Sequence, residues 1–237
     1  MTRECTSDFE RFKQYIADYN ISDNLKQKSY ISTAKSMHKV YFSLLHWHTE
    51  FQHQKNFFND KYSANEDILL RISEVTSDIG AAKFNWINGS YKASRVMLRS
   101  AIENFVRALS SIEDVDLLSE KSVYALFDKS KACQIFSNVE TVNIAYNRLH
   151  ANYKELCKDT HTASQSNMER ITSLVDYPKF YQSKSETSGK LFVNTVRDIL
   201  TILCLVFNGM YHKMHHKNRD NILLSIPRST KPLVLAP

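Results

Sequence analysis

Residues 89–109 read GSYKASRVMLRSAIENFVRAL, and this stretch decides the fold. Tyr91, Leu98, Ile102, Phe105 and Leu109 recur at helical spacing and make one apolar stripe. Round the cylinder, Arg95, Arg99, Glu103 and Arg107 stand four apart in a single charged row. The segment is therefore a helix that packs on one side and carries a polar ladder on another. Working outward, the same periodicity continues with almost no interruption. The chain has 237 residues but only four glycines and four prolines. Its first proline is Pro178, and only Gly80 and Gly89 precede it. So long a run without helix breakers predicts an all-α protein.

The helices follow in order. Ser7 to Tyr19 reads as a short opening helix with Phe9, Phe12, Tyr15 and Ile16 turned inward. Residues 25–58 carry a long amphipathic pattern through Tyr30, Met37, Leu44 and Phe51, with His48 on the stripe. Residues 66–88 carry another, through Ile68, Ile72, Val75, Ile79, Ala82 and Phe84, and Gly89-Ser90 either interrupts it or is passed through. Short helices are predicted around Val123 to Phe127 and over Met168 to Val175. Residues 139–157 point Val142, Ala145, Tyr146, Leu149, Tyr153 and Leu156 inward. Lys179 to Ser188 reads as exposed loop. Lys190 to His216 is the most apolar helix, yet its uncharged run, Ile199 to Tyr211, is too short for a bilayer of about 30 Å. The expectation is one helical bundle over residues 1–221 around this buried C-terminal helix. An extended C-terminal tail follows over 222–237, where Pro227, Pro232 and Pro237 stand.

The formal charge is +6, and all of that surplus falls after Tyr177. From Pro178 onward nine Lys and Arg face three acids. A basic end on a neutral body points to an anionic partner, of which nucleic acid is the commonest. Lys213, Lys217 and Arg219, with Lys154, are the candidate phosphate contacts, and Tyr211 is available to stack on a base. Cations at the end of an apolar helix also complement its dipole, which is the structural reading of the same residues.

Cys5, Cys133, Cys157 and Cys204 form no CxxC pair, which argues against zinc and disulfide frameworks. Reduced thiols and a polar N-terminus fit a cytoplasmic protein with no membrane partner. On 46–53, His46, Glu50 and His53 share a helical face, and Glu50-x-x-His53 has di-iron spacing. A bundle di-metal site needs a second such unit and two further Glu, so no metal and no cofactor are expected. Phosphate loops, dinucleotide fingerprints and nucleophile elbows are all missing from the sequence.

The pattern Gly-x-Tyr-x-Ala, then Leu-Arg-Ser-x-x-Glu, then Tyr-x-x-Leu-x(4)-His, runs from Gly89 to His161. It resembles bacterial helical domains of the HEPN-like kind, associated with abortive infection and phage defence, over roughly residues 80–165. The resemblance implies a helical bundle, a homodimer and, in active members, RNA cleavage without metal. Cleavage of that type needs a base for the ribose 2′-hydroxyl and a cation at the phosphate. It would place His161 as base, Arg99 as cation and Glu103 orienting one of them. The family's mark is an Arg followed by four to six residues and a His. Here the residue separated from His161 by six others is Lys154, not an Arg, and Arg148 is too far away. Two readings follow: a metal-independent endoribonuclease, or a non-catalytic module that binds RNA or a protein partner through its basic C-terminal quarter.

Overall fold

The computed structural model describes residues 3–62, 66–160, 165, 168 and 173–236, and it is all-α, with no strand among them. The helices are α1 (Arg3–Asp18), α2 (Lys28–His53), α3 (Lys55–Tyr62), α4 (Glu66–Ile87), α5 (Tyr91–Ser110), α6 (Val123–Ser130), α7 (Gln134–Ser137) and α8 (Glu140–Thr160). After them come α9 (Gln182–Val206), α10 (Asn208–Lys213), α11 (His216–Leu223) and α12 (Lys231–Leu235). Helices α4 and α5 form a tight hairpin, and α9 packs against α2, α4, α5 and α8. Being covered on several sides explains why α9 is apolar nearly all round. Phe192, Val196, Ile199, Leu200, Ile202, Leu203 and Cys204 are all buried.

The α5 stripe lands as its spacing requires: Tyr91, Leu98, Ile102, Phe105 and Leu109 are buried. So are the six inward positions expected on α8. No helix among the described residues is long and apolar enough to cross a membrane.

Several boundaries differ, each for a physical reason. The helix expected from Lys190 begins at Gln182, so most of the stretch read as exposed loop is helical. Ser185, Ser188 and Gly189 are buried there and carry no apolar signal. The Ser185 carbonyl accepts from Trp86 Nε1 at 2.9 Å, and a Cβ on Gly189 would run into the Thr33 side chain of α2. Small residues thus permit a close crossing that hydrophobic periodicity cannot report. At its other end α9 stops at Val206. Phe207 breaks the helix, and the remainder divides into α10 and α11.

The span 25–58 is likewise divided. Ser22–Lys26 is a 3-10 turn, and α2 ends at His53 with Gln54 as its C-cap, whose side chain donates to Glu50 and to the Met210 carbonyl. The C-terminal segment is not extended throughout. It carries α12, with Pro232 in the first turn, and Val234 is buried with its carbonyl bonded to Asn208 Nδ2 at 2.9 Å. On α4 the inward ring near the C-terminus is Trp86, while Phe84 is 66% exposed. On α1 the stripe is not inward: Phe9, Phe12 and Ile16 are exposed. Of the helix expected over 168–175, residues 169–172 lie outside the described residues, and Leu174–Asp176 is a 3-10 turn instead.

Gly89 settles whether α4 runs into α5. It has φ +72°, its N–H bonds the Trp86 carbonyl, and the Ser90 N–H bonds the Asn85 carbonyl. That pair of bonds is the Schellman stop. A Cβ here would also lie 2.6 Å from the Lys179 carbonyl oxygen. Gly89→Ala therefore combines a left-handed backbone with a steric clash. It should cost about 2 kcal/mol or more in a urea melt; a loss below about 0.5 kcal/mol would mean that the turn and the Lys179 strap move apart freely.

Candidate nucleic-acid interface

The charged row on α5 is a seam against α8 and a loop, not an open ladder. Arg95 pairs with Asp159 at 2.6 Å and lies 3.7 Å from Glu155, both on α8. Arg99 donates to the Tyr153 hydroxyl at 2.8 Å and to Cys157 Sγ at 3.4 Å, and lies over the Tyr153 ring. Burial pushes the Tyr153 phenol up to about 12 even with the Arg99 cation beside it, so the ring stays neutral. Glu103 pairs one turn on, with Arg107 at 3.1 Å. Arg99 and Glu103 thus share a helix face but engage different partners. His161 lies outside the described residues.

Lys154 is exposed on α8. Its neighbour His150 lies flat on Phe127, with centroids 4.5 Å apart. Burial, then Lys154 and Lys131, hold that imidazole below its usual range.

On α2, Glu50 is buried and accepts from Gln54 and from Asn218 of α11. His46 lies 3.3 Å from Asn221 Nδ2, and burial lowers its pKa against the pull of Glu50. His53 is exposed. Among the described residues no group of three His, Cys, Asp or Glu is placed to hold a metal ion.

These contacts fix how the C-terminal quarter lies. Asn218 meets Glu50, Asn221 meets His46, and Ser225 meets Ser43 at 2.7 Å, so α11 runs antiparallel along α2. Lys217 opens α11 and is exposed, and Arg219 is half-buried. The Lys213 ammonium sits 3.3 Å above the Phe57 ring, a cation–π contact that holds it at the surface.

Where α11 ends, the chain crosses α9. Here Lys39, Arg197, Arg228 and Lys231 line one depression of about 380 Å³, with Leu224 to Pro227 completing its wall. Arg197 Nε donates to the Ser225 carbonyl at 3.4 Å. No carboxylate lines this depression, and none of its four cations joins an ion pair among the described residues. A second hollow of about 330 Å³ shares Arg197 and Pro227 and adds Arg148, Asn152, Asn194 and Asp198.

The sequence points to this quarter through its charge surplus, but the grouping differs from the one read at the end of the apolar helix. The depression uses Arg197, Arg228 and Lys231 in place of Lys213, Lys217 and Arg219. Lys39 comes from α2, more than 150 positions earlier, and only the antiparallel seating of α11 brings it in. Like charges crowded together repel one another, and a polyanion relieves that repulsion. Compared with known proteins, the chain matches no family model, no curated protein and no solved structure.

Proposed function

We propose that the protein is a HEPN-like helical module that binds RNA through its basic C-terminal quarter and acts without cutting it. The observation that carries this reading is the depression in which Lys39, Arg197, Arg228 and Lys231 converge with no carboxylate in the wall among the described residues. RNA as the anion, and a place in prokaryotic defence, come from the resemblance of residues 80–165 to HEPN-like domains. Binding is favoured over cleavage because Arg99 donates to α8 and Glu103 pairs with Arg107. Glu103 is thus engaged by Arg107 rather than orienting Arg99 toward a phosphate. The other cations named from sequence, Lys154, Lys213, Lys217 and Arg219, stand outside the depression and would extend the contact along the backbone of a longer RNA.

Phosphate contacts make affinity fall with salt, because each neutralised phosphate releases condensed counter-ions. For a single strand, four contacts give a slope of about −3 in log K against log salt. Affinity should then drop roughly 50-fold between 50 and 200 mM salt. The measurement is fluorescence anisotropy of labelled RNA with purified protein in EDTA. Arg228→Ala and Lys231→Ala should each weaken binding and flatten the slope by about 0.7. The RNA should be recovered intact. Binding that is absent at 50 mM salt, or indifferent to salt, would sink the reading. RNA cut in EDTA by the wild type but not by Arg99→Ala would replace it with the ribonuclease.

A further inference from the structure

The depression lies against an outward ridge of α2 that bears a row of rings. His38, Phe42 and His46 are four apart, so they stand one above the next on a single face. The His38 and Phe42 centroids are 6.1 Å apart with planes inclined by 27°. Phe42 and His46 are 4.5 Å apart, edge to face. Phe42 is 42% exposed. A single exposed Phe is unremarkable, because folded surfaces always retain apolar area. What singles this one out is its setting.

Cations stand on both margins of the ridge. Lys39, in the wall of the depression, is adjacent in sequence to His38 and one turn from Phe42. Lys83 reaches from α4, with its Nζ 2.8 Å from His38 Nδ1, and has no ion pair among the described residues. His38 and Phe42 open to solvent, with His46 half-buried below them, and cations that have no carboxylate partner among the described residues on both margins, are the two parts of a surface for unpaired nucleotides. The ring faces take bases, and the ammonium and guanidinium groups take phosphates. A duplex could use only the second part, because its base faces are stacked inside the helix.

We propose that the His38–Phe42–His46 ridge is a base-stacking track, with Phe42 at its centre, and that the RNA bound in the adjoining cationic depression is single-stranded. This inference rests on the RNA-binding reading and sharpens it by naming the substrate class.

The test compares wild type, Phe42→Ala, Phe42→Tyr and Arg228→Ala by anisotropy. The probes are a single-stranded RNA, an abasic strand of equal length and an RNA duplex. A strand with 2-aminopurine at successive positions reports stacking directly. Phe42→Ala should weaken single-strand binding by about tenfold or more. Its salt slope and its duplex binding should stay as in the wild type, and it should abolish the 2-aminopurine fluorescence change. Phe42→Tyr should retain both, and the abasic strand should bind wild type as weakly as the base-bearing strand binds Phe42→Ala. Because Phe42 is 42% exposed and its ring contacts among the described residues are with neighbours on its own helix, the melting temperature should fall by no more than a few degrees. If Phe42→Ala binds the single strand like wild type while Arg228→Ala does not, the stacking track is wrong and the cationic site stands. Failure of the wild type to bind any of the three probes overturns both readings.

Discussion

Arg107→Ala should destabilise the protein by about 3–5 kcal/mol in a urea melt. Arg107 lies in the last turn of α5 and is 6% exposed. Its Nη1 donates to the carbonyls of Leu117 at 2.9 Å and Glu120 at 2.7 Å, and its Nη2 pairs with Glu103 at 3.1 Å. The connection from α5 to α6 doubles back over the helix end, so its carbonyls point inward and need a donor. One guanidinium serves them, and its fork of five N–H groups is what allows a single side chain to reach so many acceptors. Truncation to Ala would strand the carbonyls, each orphan costing about 1–3 kcal/mol, and would leave Glu103 without its cation. The loop cannot simply lift into water, because Leu117 is buried beside it. Arg107→Lys keeps the charge but not the fork, and should recover less than half of the loss. A cost below about 1 kcal/mol for Arg107→Ala would show that water replaces the guanidinium and that the loop is not anchored this way.

Arg107 also shows how far the sequence could be read. Its place in a row with Arg95, Arg99 and Glu103 follows from spacing alone. Whether that row faces solvent or another helix does not, because a charge carries the same letter in either place. Apolar stripes were legible wherever an element packs a broad face, as on α5 and α8. They misled where packing is by single residues or absent. Phe84 and Trp86 differ by two positions on α4, and only tertiary contacts, such as those of Trp86 with Ser185 and Tyr30, show which ring is inside. The stripe on α1 is as periodic as any in the chain, yet Phe9, Phe12 and Ile16 stay exposed among the described residues. The start of α9 was hidden because Ser185, Ser188 and Gly189 pack through smallness. The cationic depression was half legible. Net charge located the basic quarter, but Lys39 joins it through the fold, and no local pattern connects residues so far apart.

The pair formed by Arg148 and Asp198 yields an asymmetric prediction whose sign depends on pH. Arg148 Nε and Nη2 both bond Asp198, with Nη2 to Oδ1 at 2.5 Å. The carboxylate is almost wholly buried, with its side chain 5% exposed, whereas the Arg148 side chain is 49% exposed. Removing the arginine abandons a buried charge, while removing the carboxylate merely returns a surface cation to water. At pH 7, Arg148→Ala should therefore cost about 3–5 kcal/mol. Asp198→Asn should cost within about 1 kcal/mol of nothing, and the double variant should resemble Asp198→Asn rather than the sum.

Burial raises the Asp198 pKa above its ordinary 3.8, and Arg148 only partly offsets the rise. The folded state thus holds this proton more tightly than the unfolded chain does. The stability linked to it is complete below the unfolded value and is lost as pH climbs through the folded one. Without Arg148 the folded value climbs further, so the variant loses more between acid and neutral pH than the wild type. Urea melts at pH 4 to 7 should show the gap between Arg148→Ala and wild type narrowing on acidification. In the Asp198→Asn background no such narrowing should occur, since no carboxylate remains there to take the proton. A gap that stays constant with pH would mean that Arg148 stabilises the α8–α9 contact by packing its stem. The buried carboxylate would then draw its compensation from elsewhere, with Arg197, which also favours its charged form, the cation to test.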